Sequence, residues 1–303
     1  MTGTAVALLV LSAFAHAGWN LATKRQHPSA AFFVVANTVG GLALLPVVVV
    51  HWETAWALPL RVWGLLSATG VFLALYYAAL AGAYRCGDLS LAYPLARSLP
   101  APMVVLVSLL VGRTDRISSQ CLLGILLVAV GCLLLPMHRF AEMRVRHYRS
   151  AACLLALLAA AGTAGYSLLD DLALRQLRAD AALMRIGVAP LTLIYACLEA
   201  VTSSAWLLLL VLPRAAGRAS LVRVVRWQWR GAGLTGVAIY LTYGVVLIAM
   251  AFVRDVSYVV AFRQLSILLG TLAGIAFLGE PAWRPKLVGV GSLFAGLVLV
   301  ATG

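Results

Sequence analysis

Apolar runs of about 17 to 25 residues recur from one end of this 303-residue chain to the other. That is the length a helix needs to cross the ~30 Å hydrocarbon core of a bilayer. A chain built this way has few options, because in hydrocarbon each backbone polar group must be satisfied internally, and a helix does this within its own segment. Composition agrees: 63% of residues are hydrophobic and 11% charged, where a soluble domain carries about a quarter charged. A large soluble helical core needs polar faces on its helices, and most of these runs have none. The class that follows is an all-α membrane protein.

Ten spans can be drawn, at about 4–22, 31–50, 62–82, 90–111, 119–136, 151–169, 186–212, 231–251, 256–278 and 287–302. The longest polar connections are 137–150 and 213–230. The first divides the chain into a five-helix set at 1–136, a connecting loop at 137–150 and a second set at 151–303. With five spans per set, the second set enters the membrane from the opposite side. The expected architecture is therefore ten transmembrane helices in two inverted five-helix repeats, an arrangement that places sites near the midplane between repeats. Residues 1–13 contain no Lys or Arg, so the first run reads as a retained helix rather than a signal peptide.

The net charge of +13 excludes little by itself. Most arginines sit in short connections, where they signal topology and meet anionic headgroups rather than nucleic acid. Odd-numbered connections hold 14 Lys and Arg, and even-numbered ones hold 7, which puts both termini outside the cytoplasm. The five cysteines are scattered, and no Cys-x-x-Cys pair exists. Metal and cofactor chemistry therefore has no support.

One stretch is echoed. Gly87-Asp88-Leu89-Ser90 leads through Tyr93 and Pro94 to Arg97, and 167 residues later Asp255-Val256-Ser257 leads to Arg263. The same shift carries Tyr76 onto Tyr243. Each copy opens with an Asp-x-Ser helix start and takes an arginine into an apolar helix. Arg97 lies roughly 10 Å past Ser90, and Arg263 roughly 12 Å past Asp255, at about 1.5 Å per residue. Entering from opposite faces, both approach the midplane. A charge there costs at least about 2.5–3.5 kcal/mol, which makes it a functional-site hypothesis. Two guanidiniums suit an anion such as a carboxylate, phosphate or phosphonate; the alternatives are snorkelling to headgroups or structural pairing.

Pro94, Pro100 and Pro102 kink or break the fourth span. The ninth span has no proline, so only the first copy is expected to bend. Glu199, near the middle of span seven, is either a carrier of a coupling proton or, the favoured reading, the partner of one arginine. His16 is a second coupling candidate, although a histidine bonded within the bundle serves as well. Trp19 and Asn20 end span one as Tyr166 ends span six. They belong either to an interfacial belt or to a cavity lining beside the arginines. Tyr93, Tyr76 and Tyr243 complete the candidate substrate-binding set. Asp170-Asp171 reads as the charged end of span six; a diphosphate-metal motif needs Asp-Asp-x-x-Asp, which is missing here.

Gly-Asp-Leu-Ser-Leu-Ala-Tyr-Pro-Leu-Ala-Arg at 87–97, Gly279-Glu280-Pro281 and the ten-helix pattern resemble the EamA-like drug/metabolite transporter superfamily over essentially the whole chain. His16-Ala17-Gly18-Trp19-Asn20 further resembles a subgroup of permeases found near phosphonate-catabolism genes. The resemblance implies a multi-pass protein of the bacterial inner membrane that moves a small metabolite by alternating access. It also implies cytoplasmic termini, against the arginine count. The expected function is a secondary transporter of a small, anionic metabolite, not an enzyme, whose partners are its substrate and membrane lipids. The alternatives are a lipid-headgroup flippase and a membrane-embedded lipid-modifying enzyme. The latter needs a nucleophile and base, and no Gly-x-Ser-x-Gly run occurs. A Gly-x-x-x-x-Gly-Lys-[Ser/Thr] run is likewise missing, which disfavours ATP coupling within the chain.

Overall fold

A computed structural model describes residues 1–23, 29–86, 96–112, 117–142, 150–278 and 281–303, the side chains at 17–23, 84–86, 142, 273–274 and 277–278 excepted. Among the described residues there is no strand. The principal helices are α1 (Gly3–Thr23), α2 (Ala30–Val50), α3 (Leu60–Cys86), α4 (Pro100–Leu110), α5 (Ser119–Leu134), α6 (Ala151–Ala179), α7 (Val188–Val211), α8 (Trp229–Ala249), α9 (Val256–Phe262), α10 (Leu265–Leu278) and α11 (Arg284–Thr302). Among the described residues, six helical stretches are long and apolar enough to cross a membrane. Large apolar side chains such as Phe14, Leu45, Leu110, Leu123, Leu154, Leu209, Leu234 and Phe294 are exposed. They mark a helical membrane protein whose rim is solvated by lipid, since soluble monomers rarely leave so much apolar surface uncovered.

Local chemistry starts these helices. Ser29 caps α2 by accepting from the Phe32 amide, Ser118 caps α5 through Cys121, and Ser150 caps α6 through Cys153. Asp255 opens α9, accepting from the Ser257 amide at 2.9 Å. Each such cap contributes about 1 kcal/mol. The Asp-x-Ser start read from sequence is thus seen in the second copy, while Asp88 and Ser90 of the first lie outside the described residues.

The helix expected to end near residue 169 runs on for ten more residues, to Ala179. The apolar stripe persists past the acidic pair: Ala173, Leu174 and Leu177 are all fully buried. Asp171 is held one turn on by Arg175, whose Nε lies 2.8 Å from both carboxylate oxygens. The acidic pair is therefore interior rather than terminal.

Glycine sets the close crossings. A Cβ on Gly131 would lie 2.8 Å from the Gly289 carbonyl oxygen, and one on Gly296 2.6 Å from that of Gly124. So α5 and α11 run antiparallel, backbone against backbone, on two glycine pairs each seven residues apart, the small-residue device by which membrane helices approach. A Cβ on Gly236 would fall 1.8 Å from the Ala36 carbonyl oxygen, fixing α8 on α2. Helix α7 also lies antiparallel to α2, with Gly41 on Ala200 and Asn37 bonded to Ser203 at 3.2 Å. Helix α3 runs antiparallel to α6, with Gly162 against the Phe72 carbonyl and Thr69 reaching Asp170. Helix α1 lies on α8 through Ser12, which donates to the Thr242 carbonyl at 3.2 Å.

Candidate functional site

Asp170 is the knot of the interior. Its side chain is fully buried. The Tyr195 hydroxyl donates to Oδ1 at 2.8 Å, the Thr69 hydroxyl to the same oxygen at 3.2 Å, and the Tyr243 hydroxyl to Oδ2 at 2.5 Å. One carboxylate thus joins α6, α3, α7 and α8. Three donors are what a carboxylate withdrawn from water requires.

From this knot a row of aromatic rings crosses the bundle. Tyr243 meets Tyr166 edge to face, with centroids 5.8 Å apart; Tyr166 meets Tyr76 at 6.0 Å, and Tyr76 meets Tyr77 at 5.0 Å. Tyr77 stacks on Phe33 at 4.5 Å. The Arg263 guanidinium lies over the Tyr243 ring, 5.2 Å from its centroid. A cation held on a ring face is stabilised where water is scarce. Its Nη1 is shielded from solvent and finds no acceptor among the described residues.

Arg263 sits where the ninth span breaks. Its own amide still bonds the Val259 carbonyl, but the Gln264 amide takes the Ala261 carbonyl at 3.1 Å instead of continuing the helix. The Val260 carbonyl, left without that amide, accepts from the Gln264 side-chain Nε2 at 3.3 Å. The Ser266 hydroxyl donates to the Arg263 carbonyl at 3.0 Å. Gln264 and Ser266 therefore bend this span without proline, contrary to the expectation that only the first copy would bend. In the first copy Ala96–Ser98 are helical, Leu99 bends and α4 restarts at Pro100, the position where a ring with no amide hydrogen belongs.

The two breaks meet. Arg97 donates through Nη2 to the Ser266 hydroxyl at 3.2 Å, three residues past Arg263. The fields of both guanidiniums reach His16. His16 is buried on α1, with its Nδ1 3.1 Å from the Ser12 carbonyl oxygen and 3.2 Å from the Ser12 hydroxyl. Arg97, Arg263, His16, Tyr76, Tyr166 and Tyr243 thus belong to one region of the interior. Tyr166 and Tyr243 are both buried, so Tyr166 sits in the interior rather than in an interfacial belt. The side chains of Trp19, Asn20 and Tyr93 lie outside the described residues.

Glu199 does not take the arginine partner expected of it. It is fully buried on α7, and neither carboxyl oxygen has a hydrogen-bond partner among the described residues. Arg263 acts on it only through its field. The carboxylate that does receive donors is Asp170, which sequence reasoning placed at a helix end. The available signal was the apolar recurrence at Ala173, Leu174 and Leu177. Tyr195, Gln264 and Ser266 carried no sequence signal, since their roles arise only from contacts between helices and from a local break.

No family model matches the sequence, and no curated protein matches it. Fifteen chains of solved structures match. One, described only as "Crystal structure of protein", aligns with 100% of this chain and 99% of its own length at a TM-score of 0.63 and 18% identity. At that identity the likeness is one of fold, and over its whole length the chain is similar to a protein whose architecture is known from a crystal.

Proposed function

We propose that the chain is a secondary transporter of a small anion, working by alternating access around Arg97 and Arg263. The observation that carries this is Arg263 itself: a guanidinium over the Tyr243 ring, with an Nη1 that lacks an acceptor among the described residues, while Arg97, from another broken helix, reaches Ser266 three residues on. An unmet charged donor is costly to leave buried, and a carboxylate, phosphate or phosphonate oxygen would meet it. Tyr76 and Tyr166, whose rings meet each other and, through Tyr166, that of Tyr243, are assigned to the substrate with the two arginines, and Tyr93, Trp19 and Asn20 remain assigned to it on sequence grounds.

The proposed architecture is ten spans, in inverted repeats at 1–136 and 151–303, of the EamA-like type in a bacterial inner membrane. Its support is a pairing pattern that survives exchange of the two sets. Helices α2 with α7 and α5 with α11 pair the second and fifth members of each set antiparallel. Helices α3 with α6 and α1 with α8 pair the third of one with the first of the other. Such a frame allows one set to rock against the other around a fixed site.

Glu199 is assigned the coupling proton. A carboxyl with no donor is best tolerated in a dry site when neutral, and losing its proton places a bare charge within the field of Arg263. Asp170, with three donors, stays fixed.

The test is counterflow. A thermal-shift screen of the purified protein against phosphate, methylphosphonate and small carboxylates selects the ligand, which is then exchanged across proteoliposomes. Saturable exchange in the wild type, lost at least tenfold in Arg97→Ala and Arg263→Ala with membrane insertion intact, is the expected result. Normal exchange in both variants removes the anion site. Translocation of a labelled phospholipid in its place establishes a flippase, and chemical conversion of the ligand an enzyme.

A further inference from the structure

The connection between α7 and α8 is not a loop. Residues Ala215–Arg223 form a helix that continues through a π turn at Val224–Gln228 into α8. The continuous helical stretch Ala215–Phe252 has 38 residues, about 57 Å at ~1.5 Å per residue. A hydrocarbon core of about 30 Å cannot contain it, so its leading third lies outside the core.

That third has two distinct faces. Gly217, Leu221 and Val224 turn inward, and a Cβ on Gly217 would meet the Val211 carbonyl oxygen at 2.1 Å, so the segment rests directly on the end of α7. The Ser220 hydroxyl lies 3.3 Å from that of Ser29 at the start of α2. The outward face carries Val222, Val225, Trp227 and Trp229, each more than half exposed. Among them stand Arg214, Arg218, Arg223, Arg226 and Arg230, all exposed. Arg214 and Arg218 donate to the Leu210, Leu212 and Pro213 carbonyls, closing the end of α7. Arg226 and Arg230 each sit 5.5 Å from the ring centroid of the adjacent Trp227 and Trp229. The sequence holds no Asp or Glu from 200 to 254, and no carboxylate among the described residues pairs with these arginines.

We propose that this segment is a docking site for anionic phospholipid, gripping the headgroup phosphate with Arg223, Arg226 and Arg230 while Val222, Val225, Trp227 and Trp229 enter the acyl boundary. The chemistry matches on both counts. Amphipathic tryptophans settle at headgroup level, and basic side chains at the surface draw acidic lipid. An arginine stacked on indole keeps its outer donors free for a phosphate oxygen. A soluble acidic protein would satisfy the arginines but would leave the four apolar side chains wet. A helix lying on the protein at the level where its own hydrocarbon span begins is already against the bilayer.

The proposal is independent of any transported substrate and is tested without one. Full-length protein in detergent is given equimolar phosphatidylglycerol and phosphatidylcholine, and retained lipid is counted by native mass spectrometry. In parallel, melting temperature is followed with each lipid and with inorganic phosphate. The wild type is expected to retain phosphatidylglycerol preferentially and to melt higher with it. The triple variant R223Q/R226Q/R230Q is expected to lose that preference by about a hundredfold, taking each basic group at the surface as a factor of roughly five. The triple lysine variant at the same positions is expected to keep most of it. Should the glutamine variant fail to fold, the wild-type preference and the lysine variant still decide. Equal retention of both lipids by the wild type overturns the proposal, as does a folded glutamine variant with unchanged preference. Displacement of phosphatidylglycerol by inorganic phosphate, which identifies a soluble-anion site, overturns it as well.

Discussion

If Asp170 is the knot that ties four helices, replacing it by alanine and by asparagine must give different proteins. Both changes remove the buried carboxyl, so whatever its burial costs is common to the pair and cancels in their difference. What remains is hydrogen bonding. Asparagine keeps a carbonyl oxygen for Tyr195 and Thr69, which both donate to Oδ1, and offers an amide that the Tyr243 hydroxyl can turn to accept. Alanine leaves three hydroxyls, on residues no more than 6% exposed, without an acceptor. At about 1–3 kcal/mol for each orphaned group, Asp170→Ala falls below Asp170→Asn by about 3 kcal/mol or more. Unfolding by SDS titration in mixed micelles, read by the fluorescence of the eight tryptophans, measures the gap. Within the alanine background, Tyr243→Phe removes one orphan and recovers part of the loss. A gap under about 1 kcal/mol, or no recovery, refutes the account of Asp170 as the acceptor that holds α3, α7 and α8 on α6.

Three further outcomes follow from other contacts. Glu199→Gln replaces an acid lacking hydrogen-bond partners by a neutral isostere, so melting temperature stays within a few degrees of wild type, while ligand counterflow persists and uptake driven by an imposed proton gradient is lost; gradient-driven uptake in the variant removes Glu199 from coupling. Gly131→Leu forces a side chain into the α5–α11 crossing, where even a Cβ would lie 2.7 Å from the Leu293 amide nitrogen, and destabilises by more than the ~1–3 kcal/mol typical of overpacking. The same substitution at Gly64, where nothing lies within 4 Å, is expected to cost about 1 kcal/mol or less. Gln264→Leu removes the donor to the Val260 carbonyl and straightens the ninth span, so ligand affinity drops at least tenfold while the melting temperature changes little; unchanged affinity shows that the break does not position Arg263.

The membrane class was legible because hydrocarbon length and low charge are linear properties of a chain. Span ends were less so. Residues 170–171 look terminal when charge alone is counted, because a buried carboxylate resembles an exposed one until its donors are known, and those donors come from Thr69, Tyr195 and Tyr243 on three other helices. The partner expected for Glu199 failed for the complementary reason. Opposite charge in one region of the interior does not by itself make a pair: Arg263 lies over the Tyr243 face, and both carboxyl oxygens of Glu199 stay without a hydrogen-bond partner among the described residues. The facing of Gly124 on Gly296 and of Gly131 on Gly289 needed the antiparallel register of α5 on α11, which no linear pattern supplies.

The two helix breaks, at Leu99–Pro100 and at Arg263–Gln264, show why unlike residues can give alike local geometry. Proline at position 100 supplies the first break by lacking an amide hydrogen, and glutamine at 264 supplies the second by competing for a carbonyl with its own side chain. The residues share no chemistry that a pattern search would align, and a search for a second proline finds nothing. What the copies share is an arginine at the break and the need to turn its guanidinium off the helix axis. Arg97 and Arg263 miss each other by one position under the 167-residue shift, yet Arg97 still reaches Ser266, three residues beyond Arg263. A one-residue slip rotates a straight helix by about 100° and would point the second arginine elsewhere. A broken helix absorbs the slip in its turn. Common to the two stretches is therefore an arginine beside a helix break rather than the residue that makes the break.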